Sequence, residues 1–463
     1  MLTSQIFKVS PGFDAEMTTT LVYGLAVAGR AVASELVLRG ESVILVDDLE
    51  SESNAEFARQ LKSEIQFRPT AAEIAALLHK SDRVVPAPGL PETHQLFDES
   101  RRLQKSVMSE IELAYQIEQQ SSAPRPMVAV TGTDGKTTTT LMASAILNSA
   151  GKKSLAVGNT DLPLIAALRT DAQAFAVECS SFRLALTQSF RAKASVWLNF
   201  APDHLDWHTS LGSYYEAKAK IWAHLQPTDV AVVPVSDQSI TKVANLCGAR
   251  VVSFGADTGD YRVSNGVLTC PSGEILHRSE MARSLPHDVI NALAAAAITI
   301  EAGLANRNQV AQALRSFVNA PHRIEFVAES EGVRWFNDSK ATSPHASSVA
   351  LNSFESIVLI AGGKNKGLDL TEMAKNADKV KAVVAIGTAA KDIATVFSKV
   401  CEVKICSSMR DAVSCASKFA ASGDVVLLSP GCASYDWYKN YGERGTDFKN
   451  EVMTLINGKQ VKN

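Results

Sequence analysis

Short apolar runs alternate with amphipathic, helix-like stretches along the chain. Leu21-Val-Tyr23 leads into Gly24, a helical stretch through Leu38, Gly40, and a second apolar run, Ser42–Val46, ending at Asp47. Strand, glycine turn, helix, strand is the opening of a parallel α/β sheet. The pattern restarts at Met127–Val130, and further strands are expected at Ser154–Val157, Ala174–Val177, Ser195–Leu198 and Val230–Val233. Helical stretches separate them, as in a doubly wound parallel sheet. The alanine-rich stretch around Asn291–Ile300 should be the helix that closes this unit. A third α/β set begins near Pro321, with strands at Ile357–Ala361, Ala382–Ile386 and Val425–Leu428. The polar, proline-containing QQSSAPRP at Gln119–Pro126 reads as a linker. No solenoid repeat or low-complexity tract interrupts the pattern. The fold class is therefore α/β, with three domains expected at 1–123, 124–319 and 320–463.

Length supports several domains, since 463 residues exceed one ordinary core. Hydrophobic residues make up 46% and charged residues 21%, as in soluble globular proteins. A net charge of −3 supplies no global basic field, so neither nucleic acid nor membrane is an expected partner. The start, MLTSQIFKVSPGFDAEM, lacks the features of a signal peptide, and no run approaches the ~18 apolar residues of a membrane helix. Seven scattered cysteines form no C-x-x-C pair, which suggests reduced thiols in a cytoplasmic protein. No helix face or apolar run advertises an interface, so a monomer is expected.

Candidate chemistry lies where the strands end. Gly24-Leu25-Ala26 opens a turn that matches a dinucleotide fingerprint only partly, because Ala26 occupies its middle glycine position. Asp47 and Asp48 end the next strand, where an acidic group can accept hydrogen bonds from a ribose or base; a purely structural turn fits equally well. The stronger signal is Gly132-Thr133-Asp134-Gly135-Lys136-Thr137-Thr138. Its glycines let backbone N–H groups converge, the following helix N-terminus favours phosphate, Lys136 can neutralise charge, and Thr137 can ligate Mg²⁺. Asp134 is an anion where another anion should sit, so it is expected to face backbone N–H groups of the loop or a cation.

Glu178 ends the next apolar strand, on the edge where open α/β sheets bind ligands. Asp203, His204, Asp206 and His208 crowd one loop after a further strand. Carboxylate and imidazole together suit Mg²⁺ or Mn²⁺, with zinc left open by residue type. His204 is read as functional and His208 as a satisfied structural histidine. Lys218 and Lys220, two apart on a helical stretch, read as ordinary exposed lysines. In the last third, Asn337–Thr342, Gly362–Gly367 and Ser429–Tyr435 each follow an apolar strand and offer groups suited to an anionic ligand.

Together these motifs resemble the Mur ligase family, ATP-dependent amide-forming enzymes of peptidoglycan precursor synthesis, over nearly the whole chain. The loops Asn337-Asp-Ser-Lys-Ala-Thr342 and Leu427–Ser434, with Asp436, Lys439-Asn440 and Gly442-Glu-Arg-Gly445, are most similar to the branch that adds D-glutamate. The resemblance implies a Rossmann-like N-terminal domain that binds the UDP substrate, a central P-loop-type ATPase domain with a mostly parallel sheet, and a Rossmann-like C-terminal domain for the amino acid. It implies ATP on residues 132–138, with Asn291 on adenine and Arg323 and Asp338 on phosphates and ribose. Two Mg²⁺ ions would lie on Thr137, Glu178, His204 and Lys218, the lysine being carbamylated. UDP-N-acetylmuramoyl-L-alanine would contact Gly24, Leu25, Ala26, Asp47, Asp48, Pro88, Gly89, Asn159, Ser180 and Arg183. D-Glutamate would be held by Thr342, Lys366, Ser434, Tyr435 and Tyr441. Lys136, Lys218, His204 and Asp338 are the implied catalytic residues, with His204 or Asp338 as the base. The chain departs from the family pattern at Arg183 (usually Gln), Asp288 (Asn), Ala26 (Gly), Tyr435 (Leu) and Ala87 (Ser). A ligase for another amino acid, or a nucleotide-binding homologue without turnover, is the alternative.

Overall fold

In the computed structural model, which describes residues 18–205, 207–375 and 377–460, the apolar runs become strands of three α/β sheets. The first sheet is wholly parallel, in the spatial order Ile65–Phe67, Ser42–Asp47, Thr19–Tyr23, Arg83–Pro86, Ser106–Val107. Gly24 ends its central strand at φ 92°, and a Cβ there would lie 2.5 Å from that of Ala87, so the turn requires glycine.

The second sheet has six parallel strands in the order Arg250–Phe254, Val230–Pro234, Ala194–Trp197, Met127–Thr131, Ala174–Glu178, Ser154–Gly158. Chain order reverses at Met127–Thr131, so the loop after it lies between those after Ala174–Glu178 and Ala194–Trp197. This is the topological switch point, where open α/β sheets bind ligands. The expected closing helix runs Pro286–Glu301, and its alanines are fully buried with Met142, Ile146 and Leu147 of the Lys136–Ser149 helix. An antiparallel sheet, Arg262–Ser264, Val267–Cys270 and Gly273–His277, was not foreseen in the sequence.

The third sheet is mixed. Its order is Glu325–Ser330, Val333–Asn337, Val425–Leu428, Ile357–Gly362, Val380–Ile386, Glu402–Ile405, and only the first pair is antiparallel. The three polar loops of the last third therefore follow three adjacent strands.

One continuous apolar cluster joins the first two sheets, uniting Val22, Leu36 and Ile111 with Phe175, Trp197 and Trp222. The third sheet has its own apolar layers, one against each face. Among the described residues no helix is long and apolar enough to cross a membrane.

Candidate active site

The loop after Met127–Thr131 is held by a neighbour. Asn199 Oδ1 accepts the N–H groups of Thr133 (3.0 Å) and Asp134 (2.9 Å), and its Nδ2 donates to the Asp134 carbonyl (3.2 Å). Thr133 Oγ1 donates to the Ala201 carbonyl (3.1 Å). Gly135 caps the Lys136–Ser149 helix at φ 80°, with the Asn291 amide so close that a Cβ would fall 2.5 Å from its Oδ1. Lys136 Nζ folds back onto the carbonyls of Gly132 (2.8 Å) and Thr133 (2.7 Å). Burial depresses its pKa, against the pull of Glu178, Asp134 and Asp203.

Lys218 corrects the exposed-lysine reading. It is 1% exposed, its Nζ donates to the Gly132 carbonyl (2.6 Å), and it lies 4.6 Å from the Tyr214 ring centre. Burial, then the charge of Lys136, lowers its pKa well below the usual lysine range. Its one-turn periodicity said nothing about which element would cover it. Lys220 reaches the Ala185 carbonyl (2.5 Å).

Glu178 is 2% exposed; Asn159 Nδ2 donates to its Oε1 (3.0 Å), while its buried Oε2 has no hydrogen-bond partner. His204 adopts φ 55°, a conformation non-glycine residues keep only when surroundings impose it. Burial pulls its pKa down to about 4, against Asp203, so its imidazole is neutral at neutral pH. His208 is the structural histidine expected: Nε2 meets Ser181 Oγ (2.8 Å) and Nδ1 meets Glu92 Oε1 (3.2 Å). Asp206 lies outside the described residues, as does the chain start.

Among the described residues no three His, Cys, Asp or Glu side chains converge as a ready metal cage. Mg²⁺ typically takes one or two carboxylates and completes its shell with water and substrate phosphates. The orphaned Glu178 Oε2, neutral His204 and the hydroxyl of Thr137 fit such a site.

A cavity of about 240 Å³ opens beside the loop, lined by Asp134, Gly135, Asn199, His287, Asn291, Arg323, Asp338 and Lys340. Arg323 Nη2 donates to Thr137 Oγ1 (2.5 Å). Asp338 accepts from the Ile324 N–H (3.2 Å) and Ser429 Oγ (2.8 Å), and burial pushes its pKa up to about 7. A larger cleft of about 630 Å³ joins Thr137, Asn159, His322, Lys340 and Tyr441. Lys340 Nζ donates to Tyr441 Oη (3.0 Å), and paired Lys364 and Ala433 bring together the loops carrying Lys366 and Ser434. Tyr435 is 68% exposed, and Thr342 is half-buried beside the buried Ala341.

In the first sheet the acidic residues serve the fold. Asp47 accepts the N–H groups of Leu25 (2.6 Å) and Leu49 (2.8 Å), and Asp48 accepts the Tyr23 hydroxyl (2.7 Å). Ser180 caps the Ser181–Ala185 helix, and Arg183 Nη1 donates to Asn159 Oδ1 (2.5 Å). Pro88 and Gly89 follow the strand Arg83–Pro86, on the same sheet edge as Gly24.

Sequence reasoning gave no role to Asn199, Asn319, Arg283 or His345. Asn319 Oδ1 accepts from Thr138 Oγ1 (3.3 Å), Arg283 holds the segment before the third sheet, and His345 pairs with Asp134. The first residue after a strand was a visible signal for Asn199; the others depend on which surfaces meet.

Residues 130–299 match the Mur ligase middle domain, and residues 322–432 match the Mur ligase glutamate ligase domain. The chain is 37% identical over 395 residues to UDP-N-acetylmuramoylalanine–D-glutamate ligase of Natranaerobius thermophilus, covering 82% of this chain and 85% of that protein. It is 38% identical over 472 residues to the protein of that name from Pelotomaculum thermopropionicum, covering 96% and 99%. In fold it is similar to UDP-N-acetylmuramate-alanine ligase of Thermotoga maritima (TM-score 0.60, 19% identity, 95% of this chain and 100% of that one). A MurF ligase of Thermotoga maritima crystallised with ADP gives a TM-score of 0.57 at 15% identity, covering 95% and 96%. With a glycine-rich loop at the switch point, two family domains in sequence and relatives matched along most of their length, the chain belongs to the Mur ligase family.

Proposed function

We propose that this chain joins D-glutamate to UDP-N-acetylmuramoyl-L-alanine at the expense of ATP, a step of peptidoglycan precursor synthesis. The observation that carries the site reading is the convergence on one sheet edge of Lys136, the unpartnered Glu178 oxygen and the buried, charge-suppressed Lys218. Residues 1–123 would hold the UDP substrate, 124–319 ATP and 320–463 the amino acid. The seven free cysteines support a cytoplasmic location, and a monomer suffices because all the named groups come from one chain.

A carboxylate oxygen is a poor leaving group, so the substrate carboxylate takes the γ-phosphoryl of ATP and becomes an acyl phosphate. The amine of D-glutamate attacks its carbonyl carbon, and the tetrahedral intermediate expels phosphate. Lys136 moves from the loop carbonyls to the phosphates, where its charge offsets that of the transferred phosphoryl group. Magnesium, held by Thr137, Glu178, His204 and modified Lys218, would supply further charge neutralisation. Neutral Lys218 Nζ attacks CO₂ and loses a proton, which gives a carbamate anion in place of a cation. Asn291 and Asp338 line the nucleotide cavity; Thr342, Lys366, Ser434, Tyr435 and Tyr441 belong to the amino-acid side. As a base for the attacking amine, His204 is too weakly basic. Asp338 has matched basicity, but both its oxygens are engaged and it lines the nucleotide cavity.

The deciding assay is phosphate release from MgATP with both substrates. Release that requires UDP-N-acetylmuramoyl-L-alanine and D-glutamate together supports the reading. Release with another amino acid but not D-glutamate reassigns the substrate, and no release with any overturns it.

A further inference from the structure

Asp134 places a carboxylate two residues before Lys136, in a loop that otherwise presents N–H groups and a cation to a polyanion. The loop does not need that carboxylate for its shape, because Asn199 already clamps the backbone of Thr133 and Asp134. The Asp134 side chain instead pairs with His345 Nδ1. His345 stands in the first turn of the Pro344–Leu351 helix, which belongs to the third sheet's unit. The contact thus spans two units of the molecule. Asp134 lines the nucleotide cavity, and Ala346, next to the histidine, lines it from the other side.

The charges around the pair are asymmetric. Lys136 and Arg323 face Asp134; Glu372 and Asp203 face His345. Burial alone would push the Asp134 carboxyl up, yet the bond to His345 and its charge hold it below the usual range. The same bond raises His345 above the ordinary histidine value, which favours the imidazolium beside the carboxylate. Uncovered by His345, Asp134 would be a like charge beside the phosphates in a site partly stripped of water, where such repulsion is strong.

We propose that Asp134 and His345 are a positioning pair that couples nucleotide binding to closure of the C-terminal unit: the carboxylate opposes phosphate until that unit brings its imidazolium onto it. The proposal rests on the reading of residues 132–138 as the ATP loop. It makes Asp134 a gate on when ATP is held tightly, and His345 the group that opens it.

The test is a double-mutant cycle on the full chain, reading the KM for ATP with both other substrates saturating and the direct binding of MgATP. His345→Ala strands the carboxylate and should raise the KM for ATP about fivefold, the size of coupling expected for residues in contact. Asp134→Asn removes the repulsive charge and should bind ATP at least as well as the parent. The double variant should behave like Asp134→Asn, and His345→Lys, which keeps a cation, should recover most of the affinity. A double variant as weak as His345→Ala, or a His345→Lys variant no better than His345→Ala, overturns the pair's role. Lys136→Ala separates the two readings. If it leaves ATP binding intact, the loop is not the ATP site and the proposal falls with it. If it abolishes binding while the cycle is additive, the pair alone is wrong.

Discussion

Arg183 stands at the centre of a buried relay. Its Nη1 donates to Asn159, whose amide donates to Glu178, while its Nε lies 3.5 Å from Glu110 Oε2. Glu110 Oε1 accepts the Ile165 N–H (2.7 Å), and burial raises its pKa although Arg183 opposes the shift. The departure from the family's Gln is thus matched by a carboxylate from another helix. Arg183→Gln should strand Glu110 and cost about 1–3 kcal/mol, at the lower end because Glu110 can take up a proton. Glu110→Gln added to it should restore much of the loss, as read from chemical denaturation; a double variant no more stable than Arg183→Gln contradicts the pairing. Lys218 is the second residue whose environment decides its role. Burial lowers the pKa of Lys218 and so favours the neutral amine that takes up CO₂, and ¹³C-bicarbonate should give a carbamate signal that Lys218→Ala lacks. That variant should lose turnover and not regain it with added bicarbonate. Substantial residual activity contradicts the carbamate's role.

The segment before the third sheet is strained and braced. His322 and Ile324 adopt φ 64° and 45°, and for a β-branched residue the second is a genuine outlier. Arg283 Nη1 donates to the carbonyls of Arg323 (2.8 Å) and Ile324 (3.1 Å), and its Nε donates to Asp288 Oδ2 (3.1 Å). Asp288, the second departure from the family pattern, thus anchors the arginine that fixes Arg323 against Thr137. Arg283→Ala should destabilise the chain by about 2 kcal/mol, the scale of hydrogen bonds to a charged group, and raise the KM for ATP through a misplaced Arg323. Asp288→Asn in that background should recover part of the stability; no recovery would show that the carboxylate is not left unpaired. The sequence shows the elements flanking this segment, because alternating apolar runs and an alanine-rich helix depend on local period. It shows Gly135 and Lys136 because a strand, a glycine loop and a helix start are contiguous. The hairpin Glu325–Ser330 and Val333–Asn337 stays hidden, since its first strand is partly exposed and carries no clean alternation. Glu110 and His345 stay hidden because their partners are remote in sequence, as are the Arg323 and Ile324 carbonyls that Arg283 holds: periodicity fixes which face is buried, not which surface covers it.

At the scale of the molecule, the two junctions differ in chemistry. The first and second sheets share one apolar cluster, whereas the third unit meets the second through Arg323 on Thr137, His287 on Ser353 (3.0 Å) and His345 on Asp134, with Leu285 the central-unit residue among those packed on its apolar layer. A polar junction exchanges readily with water, so the C-terminal unit should be the one that opens. The ionic contribution of the His345–Asp134 pair has a defined pH window. His345 is raised in the folded state, so its share is fully present below the ordinary histidine value and lost as pH rises through the raised one. Asp134 is lowered, so its share is present above the ordinary carboxyl value and lost as pH falls through the depressed one. A fluorescence distance between probes on the second and third units, without ligands, should therefore be shortest in mildly acidic to neutral solution and lengthen on the alkaline side. Salt at roughly 1 M, where screening acts within about 3 Å, should lengthen it further at any exposed ionic contact. Asp338, which titrates at about 7 in the same junction, adds its own alkaline response as its ionised form faces Arg323 and His287. Asp134→Asn separates the two: it should remove the His345-dependent part and leave the Asp338 part. A distance between probes on the first and second units should change less across the same range, because a continuous apolar cluster holds that junction beside its charged contacts Arg183–Glu110 and His208–Glu92. An Asp134→Asn variant that keeps the parent's full pH profile would show that the pair does not hold the junction closed.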